Sequence, residues 1–439
     1  MARVHDMSSV FQRGHDLPRA TRARGCWITN AEGSQYLDAA SGALVVNVGH
    51  GEQRVTEAIR RQMTSVSYVH ASAFTSDVVE QYGATLAERL PMSDASIFPV
   101  SGGSEAVETA LKVARAYHLA NDQADRTIVI GRDLSYHGNT RGALDVSGRQ
   151  ALRAPYLPWL SHSGRVPGVL EYRCPNPAHP DRCAHWHAGA LQQEIARLGP
   201  ERVAAFIAEP VGGAASGAAV PPDGYWEAIA EVCATHGVLI IADEVMTGFG
   251  RTGRWFAAEH FGLRPDIVTM AKGAASGYWP LGICALSGKV TAALDEGLIH
   301  GFTFSHHLVG AAAGLAVLRV IDEMGLVGQA DERGRALRRA LDAEIGSHPA
   351  VGDIRGIGLM LAIELVADKG SKRPFPRSAG MAERLTSLAK QEELLVYPST
   401  GSAGDGTGDL IMIGPPLTIE MDEIDQLVTR LARALERLR

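Results

Sequence analysis

Three ionisable residues stand at the ends of three apolar runs. Glu209 closes AAFIAEP, Asp243 closes VLIIADEV and Lys272 closes DIVTMAKG. Runs that are apolar throughout suit strands covered by helices on both faces, and open α/β sheets bind ligands at the carboxyl ends of such strands. A lysine there is often a solvated loop cation, and a carboxylate there is often a helix cap or an ion-pair partner. Together they admit a specific chemistry. A buried lysine with a lowered pKa serves as a Schiff-base nucleophile, and a carboxylate holds the proton of a pyridinium ring.

A fourth element lies upstream, Val100-Ser101-Gly102-Gly103-Ser104-Glu105. It opens a helical pattern in which Val107, Ala110, Leu111, Ala114 and His118 recur on one face. Glycines and serines at a helix N-terminus offer N–H groups and hydroxyls to a phosphate. The same residues also read as a plain Gly/Ser turn, with Ser104 near the cap and Glu105 answering the helix dipole. This segment fits neither the Walker pattern nor the dinucleotide glycine fingerprint. A separate group, Cys174, His179, Cys183, His185 and His187, lies in the Pro-rich stretch YRCPNPAHPDRCAHWHAG. Zinc takes four Cys or His ligands. The spacing C-x4-H-x3-C-x-H-x-H matches no standard finger or ribbon, so the expectation is a surface insertion and no metal.

The elements that must position these residues alternate. Candidate strands cover 127–130, 203–208, 238–242, 266–270 and 282–287, with helical patterns between them. That alternation marks an α/β domain on a mainly parallel sheet. From residue 308 the character changes. Helices are expected over 308–324 and 333–345, a strand near 359–365, a Gly-rich loop over 401–408 and a closing amphipathic helix over 421–438. The expected organisation is an N-terminal segment, 1–60, packed with the small domain, a large domain, 61–309, and a small C-terminal domain, 310–439.

Composition narrows the function classes. The 439 residues include 42 Lys+Arg and 49 Asp+Glu, a net charge of −7, and 46% are hydrophobic. That is globular composition, long enough for two or three domains and for a core that needs no disulfide or metal to form. The negative balance, without a basic run, argues against a nucleic-acid surface. No stretch of about 20 apolar residues suggests a membrane span. Residues 1–20 lack the apolar segment of a secretory signal. Five scattered cysteines form no disulfide framework, and the expectation is a cytoplasmic protein.

The stretches VSGGSEAVETALKVARAYH, SYHG, AEPV, IIADEVMTGFGRTG, TMAKG and HGFTFSHH follow one another in the order typical of class III aminotransferases, with Lys272 placed 29 residues after Asp243. From about Gly25 to the C-terminus the chain resembles that family, pyridoxal-phosphate enzymes of fold type I. The resemblance implies a large domain with a mainly parallel, seven-stranded sheet and a smaller α+β C-terminal domain. It implies pyridoxal 5′-phosphate as cofactor, with Lys272 forming the Schiff base and later moving the proton. Asp243 would pair with the pyridine nitrogen, Val245 would pack on one ring face, and Tyr136 would stack on the other. Gly103 and Ser104 would hold the phosphate, with Glu209 and His137 nearby. Thr303 would reach the phosphate of the neighbouring subunit, which implies a homodimer with shared active sites and leaves a tetramer open.

The departures from the family bear on substrate. Met246 stands where many relatives that use 2-oxoglutarate have Gln. Met412 stands where they carry an Arg before the Pro-Pro pair, and 391–429 contains no Lys or Arg. A carboxylate favours a bidentate guanidinium. The chain is therefore expected to move an amino group from an ω-amino acid or primary amine to a small 2-oxo acid such as pyruvate. The alternatives are a 2-oxoglutarate-using ornithine- or GABA-type enzyme, and an aminomutase or dialkylglycine-decarboxylase type, for which Trp is expected at position 136. A non-catalytic cofactor sensor or zinc-stabilised interaction protein is disfavoured by the intact Lys272, Asp243 and phosphate loop. Leu44, Tyr136, Tyr278 and Trp279 are expected in the substrate pocket, with Arg355 as the default anchor for the acceptor carboxylate.

Overall fold

The computed structural model describes residues 17–161, 163–295 and 297–438. Residues 1–16, most of the segment read for a secretory signal, lie outside the described residues. Seven strands form the central sheet: β1 (Ser96–Val100), β2 (Ile128–Arg132), β3 (Gly164–Val166), β4 (Val203–Ala208), β5 (Leu239–Asp243), β6 (Ile267–Met270) and β7 (Gly282–Leu286). Their spatial order is β1-β7-β6-β5-β4-β2-β3. Pairing is parallel from β3 through to β6, while β7 runs antiparallel to both β6 and β1. Only residues 271–281 separate β6 from β7, too few for a helical crossover, so the chain turns back.

The central strands carry their side chains into two cores. In β4, Phe206 and Ala208 face a core shared with Leu191 and Ile195 of the helix Cys183–Leu198 and Ile229 of the helix Tyr225–His236. Ala205 and Ile207, the alternate residues, face Val107, Ala110 and Val113 of the helix Gly103–Ala120. Both faces of the sheet are therefore covered, which explains why these strands contain no polar alternation.

Two strands of the central sheet escaped the sequence reading. β1 has Pro99 within it, which is tolerated because β1 is an edge strand. β3 has three residues, too few to show any period. The helix expected from 333 begins earlier, as Leu326–Ile345. Its buried stripe includes Gly334, where a Cβ would lie 2.2 Å from the Gly358 carbonyl oxygen, so close packing rather than an apolar side chain occupies that turn.

The C-terminal part holds a second, antiparallel sheet of β8 (Val351–Ile357), β9 (Met360–Asp368), β10 (Tyr397–Ser399) and β11 (Asp409–Ile413), ordered β8-β9-β11-β10. The strand Arg373–Pro374 adds to β9. Near the N-terminus, the strand Gln35–Asp38 pairs in parallel with Leu394–Leu395, and the Trp27 indole donates to Glu423 at 2.7 Å. No described helix is long and apolar enough to cross a membrane.

Candidate active site

Sheet register brings the three strand-end residues together. Ala208 pairs with Ala242, so Glu209 and Asp243 leave β4 and β5 at the same level. Asp243 in turn pairs with Thr269, and Lys272 follows β6 by two residues. All three line one cleft of about 550 Å³, together with Gly103, Ser104, Tyr136, His137 and Val245.

Asp243 is buried and both its oxygens are held. Oδ1 accepts the Val245 backbone N–H at 3.0 Å, and Oδ2 lies 2.7 Å from His137 Nδ1. A carboxylate oxygen only accepts, so the proton in that contact sits on Nδ1. His137 is itself anchored, its backbone N–H donated to Ser147 Oγ at 2.8 Å, while its buried Nε2 has no hydrogen-bond partner. His137 thus sets the carboxylate's position.

Lys272 adopts φ 44°, a left-handed backbone conformation uncommon for a side chain of this type. The following Gly273 is required by space: a Cβ there would lie 2.5 Å from Asn47 Nδ2. The ammonium donates to the Ala43 carbonyl at 2.9 Å. Burial pushes the Lys272 pKa down to about 8, against the opposing pull of Asp243 and Glu209. At neutral pH roughly one lysine in ten is then a neutral amine.

Glu209 is buried, and burial raises its pKa against the charges of His137 and Arg132. Its Oε1 accepts the Gly213 N–H at 3.3 Å and the Tyr136 N–H at 3.4 Å, fixing the backbone from which Tyr136 enters the cleft. At the opposite end stands the N-terminus of the helix Gly103–Ala120. The first backbone bond of that helix runs from Ala106 N–H to Gly102, leaving the N–H groups of Gly103, Ser104 and Glu105 without helical partners. A Cβ on Gly103 would press on Val245 Cγ1 at 3.1 Å, so the missing side chain lets this terminus close on the cleft. Ser104 Oγ accepts the Asn139 N–H at 3.0 Å, which leaves its own proton to donate.

Arg149 also lines the cleft, and its buried Nε has no hydrogen-bond partner. Sequence reasoning missed it, because it sits in the irregular stretch SGRQ with no periodicity or motif to mark it. Arg355, the default anchor, proves committed elsewhere. It pairs with Asp353 at 2.9 Å and Glu364 at 2.7 Å and donates to the carbonyls of Gly217 and Ser216. Leu44 and Trp279 do not line the cleft of the single chain either. Leu44 is buried in an apolar cluster with Met360 and Met412, and Trp279 packs 5.2 Å from the His307 ring. Tyr278 donates to the Gly49 carbonyl at 2.8 Å. Thr303 lies outside the cleft, exposed beside Phe304, its carbonyl accepting from the Tyr68 hydroxyl.

The cleft can thus hold an anion at the helix terminus, a cationic ring nitrogen at Asp243, and a carbonyl carbon at the Lys272 amine. Known proteins point the same way. The family described as Aminotransferase class-III matches residues 10–435. An uncharacterized aminotransferase of Bacillus subtilis, YodT, is 39% identical over 94% of this chain and 93% of that protein. A putrescine–pyruvate aminotransferase of Pseudomonas aeruginosa is 34% identical over 95% of this chain and 90% of that protein. The crystal structure of an (S)-enantioselective omega-transaminase from Thermomicrobium roseum superposes with a TM-score of 0.91 at 36% identity, covering 100% of this chain and 96% of that one. The seven-stranded sheet is that of a fold type I transferase, and the chain belongs to the class III aminotransferase family as an aminotransferase.

Proposed function

We propose that the cleft binds pyridoxal 5′-phosphate and moves an amino group from an ω-amino acid or primary amine to a small 2-oxo acid such as pyruvate. The observation that carries this reading is the meeting of Lys272, the His137-supported Asp243 and an open helix N-terminus in one cleft. These residues fit the cofactor's three polar ends. When bound, the cofactor supplies an electron sink and a carrier for the amino group. Gly103 and Ser104 bind the phosphate through N–H groups and hydroxyl. Asp243 holds the ring nitrogen's proton, and His137 keeps Asp243 in place. Val245 and Tyr136 bracket the ring, and Glu209 fixes the backbone of Tyr136. Lys272 would hold the cofactor's carbonyl carbon, and its Nζ, when free, would take the proton from the donor carbon in the first half of the reaction and deliver one to the acceptor carbon in the second, with the cofactor as carrier between them.

The lowered lysine pKa has a measurable consequence. Only the neutral amine attacks a carbonyl, and its fraction grows about tenfold per pH unit below a pKa near 8. Capture of added cofactor by the apoenzyme should therefore speed up from pH 6.5 and level off above about pH 8, followed as growth of the visible band. A rate still climbing through about pH 10 would show an ordinary lysine.

The substrate assignment rests on the wall of the cleft. Met246 gives that wall an apolar surface, whereas Met412 is fully buried outside the lining, in the apolar cluster with Leu44 and Met360. We assign the acceptor carboxylate to Arg149, whose guanidinium is otherwise unused at Nε. A charge-assisted pair of this kind contributes about 1.5–3 kcal/mol. Arg149→Leu should raise KM for pyruvate by roughly 10- to 100-fold while leaving KM for a primary amine and the cofactor's affinity nearly unchanged. Loss of cofactor affinity instead would place Arg149 on the phosphate.

The donor class is tested by adding β-alanine, putrescine, taurine, α-methylbenzylamine or glutamate to the holoenzyme. Bleaching of the visible band by ω-amines but not by glutamate is expected. Bleaching by glutamate alone would favour the 2-oxoglutarate-type enzyme. We further read Thr303 as serving the partner's phosphate in a homodimer, because the loop around it exposes Phe304, 58% accessible, and Tyr68. The protein is read as cytoplasmic.

A further inference from the structure

Away from the cleft, the insertion after β3 and the start of the helix Cys183–Leu198 bring three of five thiol and imidazole groups together. Cys174 Sγ lies 3.5 Å from Cys183 Sγ, and His179 Nδ1 lies 3.3 Å from Cys183 Sγ. One atom from each residue falls within 4.8 Å of the other two. His185 is exposed on the helix, and His187 is buried with its ring 5.7 Å from that of Tyr225, so neither joins them.

Tetrahedral zinc with Zn–S near 2.3 Å and Zn–N near 2.0–2.1 Å sets the separations of its ligands: about 3.7–3.8 Å between two sulfurs and about 3.5 Å between sulfur and nitrogen. The two edges that meet at Cys183 differ from those values by only a few tenths of an ångström. A standard finger motif is therefore unnecessary, since the turn formed by 174–183 does the converging that C-x2-C spacing does elsewhere.

The surroundings suit a thiolate. Asn176 Nδ2 points at Cys183 Sγ at 3.4 Å while donating to the Asp181 carbonyl at 2.8 Å, and its Oδ1 accepts the Ala178 N–H at 3.0 Å. An amide donor held this way is the outer support that metal-bound sulfur normally receives. Cys183 is buried, Cys174 is half-buried and His179 is exposed, so the group opens to solvent on one side.

We infer that Cys174, His179 and Cys183 form a mononuclear zinc site, with a solvent water as fourth ligand. Binding releases two thiol protons, and the resulting group of Zn²⁺, two thiolates and a neutral imidazole carries no net charge. Its role is mechanical. The same insertion reaches the C-terminal sheet, where Arg173 pairs with the buried Glu364 of β9 and Lys372 donates to the Tyr172 carbonyl at 2.9 Å. Zinc would lock the turn that ties the β3 edge of the large sheet to β9.

The test uses full-length holoenzyme equilibrated with zinc chloride and dialysed against metal-free buffer. About one zinc per chain should remain in the wild type, and less than about a tenth of that in Cys183→Ser. Because Cys183 is buried and its replacement can unsettle the fold, His179→Ala serves as the second variant; it alters an exposed side chain outside the cleft. It should keep aminotransferase activity and lose the zinc. Cobalt(II) in place of zinc should add thiolate charge-transfer bands to the wild type, read as a difference from His179→Ala so that cofactor absorption cancels. Chelation should lower the wild-type melting midpoint and leave that of His179→Ala unchanged. Wild type that retains no metal, or His179→Ala that retains all of it, overturns the inference. So does a thiol titration of the unfolded chain that finds three of the five cysteines free, which would mark a Cys174–Cys183 disulfide instead.

Discussion

Lys272→Ala should abolish amino transfer, lowering kcat by about 10⁴-fold or more. Two functions vanish with one amine: the covalent hold on the cofactor and the proton transfer at the donor carbon. Proton transfer by a positioned group alone contributes about 10²–10⁴-fold. No other lysine lines the described cleft, so nothing nearby can substitute. The fold should survive, because the substitution removes a buried ammonium that is held by the Ala43 carbonyl, and the φ of 44° is already imposed on a non-glycine residue. The melting midpoint should stay within a few degrees while the visible band of the bound cofactor changes. Methylamine at high concentration should restore part of the rate if the missing group is the acid–base amine. Turnover at the wild-type rate would remove Lys272 from the chemistry.

Much of this site was legible because parallel sheets concentrate function at strand ends. Once 203–208, 238–242 and 266–270 are read as strands, Glu209, Asp243 and Lys272 must emerge along one edge, and the observed register places them there. Packing partners were not legible. The contact of His137 with Asp243 spans 106 positions, and no local pattern encodes it. Arg149 carries no signal of its own, since it becomes conspicuous only when its neighbours are found to leave Nε unpaired. Arg355 failed for the converse reason: its acidic and carbonyl partners come from β8, β9 and the 216–217 turn, and only the folded chain shows that they saturate it. Leu44 and Trp279 look alike as apolar residues in sequence whether they meet a substrate or the core.

Asp243→Asn should bind the cofactor and lose most activity, about 100-fold or more in kcat, equivalent to about 3 kcal/mol of transition-state stabilisation. The substitution keeps size and shape, so the amide oxygen can still accept from His137 Nδ1 or from the Val245 N–H. What it loses is the charge that keeps a proton on the ring nitrogen, and with it the pull on electrons from the donor carbon. The loss should fall on kcat rather than on KM for the amine, because Asp243 acts through the cofactor ring. His137→Gln provides the control for position against charge. His137 touches the carboxylate and not the reacting atoms, so its replacement should cost less, about tenfold, and should shift the pH profile of kcat through the altered proton affinity of the ring. If Asp243→Asn retained a rate within about threefold of wild type, the buried carboxylate would be a structural partner of His137 and the ring nitrogen would have to be held elsewhere. If the two variants were equally impaired, the geometry of the pair rather than the charge of Asp243 would govern the rate.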